Sequence, residues 1–264
     1  MQDLIILIPH YNNIAELEES IKSIEETIDV DILIVDDGSA DKPNQQEIEA
    51  IYKNGEVFIK LLDNNVGIEN ALNSGLSFIE SKDYKYVGRL DCGDINRPNK
   101  YRKQLEYLEK NPETHLLGTW ADMVDTEGNF LYTLKHPTTD KEIKNKMYLN
   151  SMFVHPTVIF RKEILSLIGK YPTKYKAAED YAYFFEISKK FKVENLPEAL
   201  LIYKIDPNSI SSTKRKFQVK NRIRIIWSHF YLGFYPLYGL LRNVLLLFMS
   251  RNMTTFMKKQ IKKS

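Results

Sequence analysis

Cysteine is almost absent from this sequence. Its single thiol, Cys92, has no partner for an internal disulfide. Also missing is a secretory opening. The first apolar run, LIILIP at residues 4–9, is too short for the core of a signal peptide and follows Asp3 rather than a Lys or Arg. It reads as a buried first strand, and a cytoplasmic protein is expected. The turn after that run, IPHYNNIAE, holds no glycine. A dinucleotide site needs glycines there so that the backbone can approach a pyrophosphate, so NAD binding is excluded. No GxxxxGK[ST] phosphate loop occurs either.

The last stretch of the chain lacks acid altogether. No Asp or Glu follows Asp206, whereas twelve of the 37 Lys and Arg lie beyond it. The first 206 residues therefore carry 25 basic against 35 acidic side chains, and the remainder is purely basic. This segregation predicts two physically different parts: a domain over residues 1–206 and a basic, apolar helical segment over 207–264. With 43% hydrophobic and 27% charged residues, the chain has the composition of a folded protein.

Within the first part, strand-length apolar runs alternate with segments of helical period. LIILIP is followed by IAELEESIKSIEETI, DILIVDDGS by a polar helix candidate at 44–53, EVFIKLL by a helix over 67–80, and KYVGRLD by a helix from Pro98. Such alternation predicts an α/β fold with a mostly parallel sheet. Beyond it, HLLGTW, NFLYTL and VHPTVIF read as strands, and TDKEIKNKMYL and EDYAYFFEISKK as helices. In parallel sheets ligands bind beyond the carboxyl ends of the strands, and the polar motifs fall there. His10, Tyr11 and Asn12 follow the first strand, Asp36 to Ser39 the second, Asn65 and Gly67 the third, and Asp91 to Asp94 the fourth.

Acids at strand ends suit a divalent cation, Mg²⁺ or Mn²⁺, that neutralises a diphosphate. Asp91 and Asp94 are the candidate ligands. Each position also has a plainer reading: Asp94 as a helix N-cap or turn residue, Asp36 and Asp37 as turn chemistry in DDGS.

The segments LIILIPHYNNIAELEESIKSI, ILIVDDGSAD, NNVGIENALNSGL, GRLDCGDINRPNKYRKQLEYLEKNP, VHPTVIFRKEI and AAEDYAYFFEIS carry a resemblance over roughly residues 2–205. In order and spacing they resemble family 2 glycosyltransferases of the GT-A fold, especially bacterial enzymes that build lipopolysaccharide, capsule or other surface glycans. The resemblance implies a nucleotide-sugar-binding α/β fold. It also implies transfer of a hexose from a nucleoside diphosphate, with UDP as the family prior, to an acceptor hydroxyl with inversion.

By that resemblance Pro9 and Tyr11 match the motif that packs on the nucleobase, and Asp37 the acid that hydrogen-bonds the base, with Asp36 as its structural partner. Asn65 and Gly67 match the NxG element near the nucleotide. Arg89 pairs with a phosphate or with Asp91. Asp91 and Asp94 match the outer acids of a DxDD pattern that binds ribose and metal, but the usual middle acid is Gly93 here, which puts tight metal binding in question. Glu179 and Asp180 match the ED motif, with Asp180 the expected base and Glu179 the second choice; without the resemblance they are helix-start acids. An isolated Asp is ionised at neutral pH and can accept the proton of the attacking hydroxyl as the bond forms. His155 lies where some GT-A enzymes supply a late metal or diphosphate ligand, and a lone His beside Pro also reads as structural.

In the tail, residues 225–241, IIWSHFYLGFYPLYGLL, hold no charged side chain and are bracketed by KRKFQVKNRIR and MKKQIKKS. Seventeen residues is the lower edge of a membrane span, and His229, the glycines and Pro236 interrupt it. Interfacial aromatics with flanking cations suit attachment to the inner membrane surface, beside an acceptor that is itself lipid-linked, such as a polyprenyl-diphosphate oligosaccharide. The competing reading is homo-oligomerisation through the same segment. Nucleic acid is not expected, because the aromatics cluster with aliphatics. The alternative to an enzyme is a nucleotide-sugar-binding or scaffolding subunit with impaired catalysis, suggested by Gly93.

Overall fold

The computed structural model describes residues 3–206 and 214–248; the 207–213 junction and the MKKQIKKS run lie outside the described residues. Four parallel strands form its first half: β1 (Leu4–His10), β2 (Asp31–Asp36), β3 (Val57–Leu61) and β4 (Tyr86–Arg89). β1 pairs with both β2 and β4, and β2 with β3. The helices α1 (Ile14–Lys22), α2 (Gln45–Ile51) and α3 (Ile68–Glu80) make the crossovers. Alternate residues of β1 enter different cores, as the two-residue period of a strand requires. Leu4, Ile6 and Ile8 pack with Leu17 and Ile21 of α1, while Ile5 and Leu7 pack with Leu72 and Leu76 of α3. Covered on both faces, β1 is apolar without alternation, which is why LIILIP reads as one continuous run.

The strand order explains where a ligand fits. From β1 the chain builds outward through β2 to β3, then returns to the other side of β1 as β4. At that reversal the strand-to-helix loops leave a crevice beyond the strands' carboxyl ends.

The second half continues the sheet. After β5 (Ile95–Asn96) and α4 (Lys100–Lys110) come β6 (Thr114–Val124), β7 (Phe130–Leu134) and α5 (Asp140–Lys146). Then follow β8 (Ile159–Arg161), α6 (Ile164–Ile168), α7 (Glu179–Lys190) and β9 (Lys192–Lys204). The full order is β3-β2-β1-β4-β8-β6-β9-β5, with β7 on β6. VHPTVIF differs from its expectation as a strand. Only its end lies in β8, because Pro156, which has no N–H for a ladder, sits in a 3₁₀ turn over His155–Thr157.

The apolar tail is not one segment. It breaks at residues 229–233 into α8 (Arg215–Ser228) and α9 (Phe234–Phe248), which fold back on the domain. Ile225 and Ile226 join the core that contains α7. The Asn221 amide donates to the Lys176 carbonyl (2.8 Å), and the Arg242 guanidinium to that of Leu149 (2.8 Å). No described helix is long and apolar enough to cross a membrane.

Candidate active site

His10 and Asp36 are register partners across β1 and β2, and this places their side chains in contact. The Nδ1–H of His10 donates to Asp36 Oδ1 (2.8 Å), while Nε2 accepts the Asn13 backbone N–H (3.1 Å), which fixes the tautomer. Asp36 Oδ2 also accepts the Ser39 N–H (3.0 Å), so Asp36 is wholly buried as a structural acid. Asp37 faces the other way. Its two oxygens accept the backbone N–H groups of Val66 (2.8 Å) and Gly67 (3.1 Å), clamping the loop before α3. Gly67 occupies φ +90°, a conformation open to glycine, and caps α3 without a side chain.

The fourth strand end is a charged turn. Arg89, fully buried, donates from one guanidinium nitrogen to the Leu7 carbonyl (2.8 Å) and from the other to Asp91, while its Nε–H has no partner. Asp94 accepts the Lys204 backbone N–H (3.3 Å) on β9 and is buried, so desolvation first, then the charge of Asp91, raises its pKa well above the carboxylate range. Beneath the turn, Lys100 donates to the Pro156 carbonyl (2.7 Å), Asn96 Oδ1 (2.9 Å) and the Arg89 carbonyl (3.3 Å), tying the acidic turn to the His155 turn. Its burial lowers its pKa to about 7.

Asp91, paired with Arg89, and the buried Asp94 offer two carboxylates on one turn as a partial donor set for a divalent cation. No third His, Cys, Asp or Glu joins them in a preformed cage among the described residues. The nearby Glu16 carboxylate is engaged by Lys204 (3.0 Å) and Asn13 (2.6 Å). A hard cation demanding about six oxygens would take the remainder from a diphosphate and water.

The ED pair opens α7 two positions after Ala177, a non-glycine residue held at φ +59°. Glu179 is buried with Oε2 unpartnered; desolvation, then the Asp180 charge, pushes its pKa up to about 8. Asp180 is only half-buried. The two neighbouring acids thus stand in different surroundings, one desolvated and one more open. Asp91 contributes to the field at Glu179, and Arg89, Asp91 and Asp180 to that at His155, so the acidic turn and the ED pair share one locality. His155 itself is structural in its contacts. Its Nε2 meets the Tyr171 hydroxyl (2.8 Å), its ring packs edge-on to Phe184, and burial lowers its pKa to about 4.

A cleft of about 580 Å³ opens beside this cluster. The expected residues Pro9, Tyr11, Asp37, Asn65 and Gly67 line it; Arg89, Asp91, Asp94, His155, Glu179 and Asp180 do not. Glu69, Lys176, Lys214 and Phe217 also line it and were not singled out by sequence. Glu69, in the first turn of α3, has a buried carboxylate that lies 4.0 Å from Lys176. Lys176, Lys214 and Phe217 come from distant segments with no local motif. Ala177 lines the cleft two positions before Glu179, and Glu69 contributes to the field there, so cleft and acid cluster adjoin.

An α/β sheet with a cleft at its switch point, beside an acidic turn and a helix-start acid pair, has a GT-A-like fold. The chain belongs to glycosyl transferase family 2, whose model matches residues 5–169. It is 32% identical over 202 residues to an uncharacterised glycosyltransferase of Methanocaldococcus jannaschii, covering 73% of this chain and 66% of that protein. It is 27% identical to the Escherichia coli UDP-Gal:alpha-D-GlcNAc-diphosphoundecaprenol beta-1,3-galactosyltransferase, over 84% of this chain and 80% of that one. Among solved structures, the mannosyltransferase PcManGT from Pyrobaculum calidifontis, in complex with GDP-Man and Mn²⁺, superposes with a TM-score of 0.65 at 13% identity, covering 94% and 70% of the two chains. The protein is thus a glycosyltransferase.

Proposed function

We propose that the protein transfers a hexose from a nucleoside-diphosphate sugar, UDP-linked, to a hydroxyl of a lipid-linked glycan during bacterial surface-polysaccharide synthesis, with inversion, at the inner face of the membrane. The observation that carries this reading is the adjacency of the cleft to the Glu179–Asp180 pair. The UDP donor and lipid-diphosphate acceptor in the name of the Escherichia coli relative support the substrate classes.

In this reading the nucleotide lies in the cleft, with the base between Pro9 and Tyr11 and beside Asp37. The diphosphate points toward the Arg89–Asp91 turn, where the buried guanidinium adds positive charge. Asp91 and Asp94 would hold a divalent ion, which would supply positive charge to offset that of the diphosphate. Asp180 takes the acceptor proton as its oxygen attacks the sugar's anomeric carbon and the bond to the diphosphate breaks. Glu179, protonated at neutral pH, shields Asp180 from a second adjacent charge.

The test is a thermal-shift screen of nucleotide sugars with Mn²⁺ or Mg²⁺, followed by transfer assays with soluble and lipid-linked acceptors. A UDP-sugar that stabilises the fold and is turned over supports the proposal. Tight donor binding without turnover under any metal or acceptor would instead identify a scaffolding subunit.

A further inference from the structure

Helix α9 is built inside out. The residues it buries against the domain are Pro236, Gly239 and Asn243, while Phe234, Leu237, Leu241, Leu245 and Phe248 point outward at the three- and four-residue spacing of a single helical stripe. Packing fixes this orientation. A Cβ at Gly239 would collide with the Tyr148 carbonyl, and Arg242 is anchored on Leu149. Trp227 in the last turn of α8 and Tyr231 and Leu232 in the turn that follows add exposed apolar surface, the last 95% exposed. A water-facing surface helix presents the opposite pattern, so this face requires a covering medium.

The charges around it identify that medium. Lys144, paired with Asp140 (2.9 Å), and Lys189 line a depression with Tyr231, and Lys189 Nζ lies 6.0 Å from that ring. Lys174 and Lys190 surround His229, whose neighbouring acid Glu186 is paired with it (3.4 Å). Beyond Asp206 the sequence adds twelve Lys and Arg and no acid. A two-fold dimer through this stripe would set the basic collar against its own copy, like charge against like. An anionic bilayer offers hydrocarbon to the stripe and phosphate to the collar. The fifteen described residues of α9 rise only ~22 Å, short of the ~30 Å hydrocarbon core, which suits this stretch to lying in the surface.

We propose that the outward stripe of α9, with the α8–α9 turn, docks the protein on an anionic lipid bilayer with α9 parallel to the membrane plane. The other end of α8 delivers Lys214 and Phe217 to the cleft, so one helix links the docked face to the donor site. This defines the docking surface for the membrane setting proposed above but rests on α9 itself, and it stands or falls apart from the transfer reaction.

The experiment is co-sedimentation of the full chain with vesicles of phosphatidylcholine alone or mixed with phosphatidylglycerol. Binding to the phosphatidylglycerol vesicles is expected, weakened by salt, with a blue shift of tryptophan emission that the Trp227→Phe variant loses. Leu237→Glu with Leu241→Glu should reduce binding by about tenfold or more with an unchanged melting temperature. No binding to anionic vesicles, or undiminished binding by that folded variant, overturns the proposal. So does a stable dimer in solution that the same variant renders monomeric, since the face is then covered by a second copy. UDP-sugar affinity and turnover with a soluble acceptor, measured on the same samples, report on the reaction separately.

Discussion

The carboxylate of Glu16 stands against Gly93, so that a Cβ on Gly93 would lie 3.0 Å from Glu16 Oε2, and Gly93 itself sits at φ +93°. The missing middle acid of the turn therefore reflects both space and backbone. Gly93→Asp, which restores the family pattern, is expected to destabilise the fold by about 1–3 kcal/mol through left-handed strain and the like charge of Glu16. Gly93→Ala should show most of the strain without the charge. Thermal unfolding of both variants checks this; a Gly93→Asp protein as stable as the parent, with tighter Mn²⁺ binding, would refute it.

Arg89 depends on Asp91. The guanidinium is wholly buried, and its charge is paired with a side chain that is itself about a third exposed. Asp91→Ala strands that charge, at a cost of ~3 kcal/mol or more, or about 6–12 °C in melting temperature. Arg89→Met combined with Asp91→Leu should recover much of the loss of stability while leaving donor binding abolished. Thermal melts beside UDP-sugar titrations separate the two effects; if the double variant binds donor normally, the turn has no part in the site.

Glu179 predicts a pH dependence of stability. Its folded pKa, about 8, lies above its ordinary value near 4.5, so between these pH values the folded protein holds a proton that the unfolded chain has released. Stability then falls as pH rises through that window. Glu179→Gln cannot release a proton, and its melting temperature should fall less than the parent's between pH 5.5 and pH 8.5, by ~2–4 °C for each kcal/mol removed. Parallel slopes in the two proteins would place the Glu179 proton elsewhere.

The β1–β4 half of the fold was legible because each strand is a short apolar run ended by polar residues, and each crossover shows helical period. Glu179 and Asp180 were legible as residues, but not their division, since the burial of one and the partial exposure of the other arise from tertiary packing around the start of α7. Lys100 was hidden for a different reason. It lies in the charged run NKYRKQ, where every signal is that of a solvated helix, and only the converging carbonyls of Arg89 and Pro156 explain why it is buried. The inverted face of α9 was visible as an apolar run, but its direction was not, because sequence does not say which side of a helix Gly239 must present to Tyr148.

Asp180 carries the proposed proton transfer. It follows Glu179 in the first turn of α7, where the N–H groups of the helix favour negative charge, and it is the more open of the two acids. Asp180→Asn keeps the size and hydrogen bonding of the side chain but removes its capacity to accept a proton. Transfer should fall by about 10²–10⁴-fold, while UDP-sugar affinity changes little. Glu179→Gln, which mimics a protonated acid, should retain most of the turnover at neutral pH. Single-turnover assays beside donor titrations distinguish the roles. Near-normal transfer by Asp180→Asn together with a collapse in Glu179→Gln would exchange the assignments, and because the two acids adjoin, only that paired comparison decides between them.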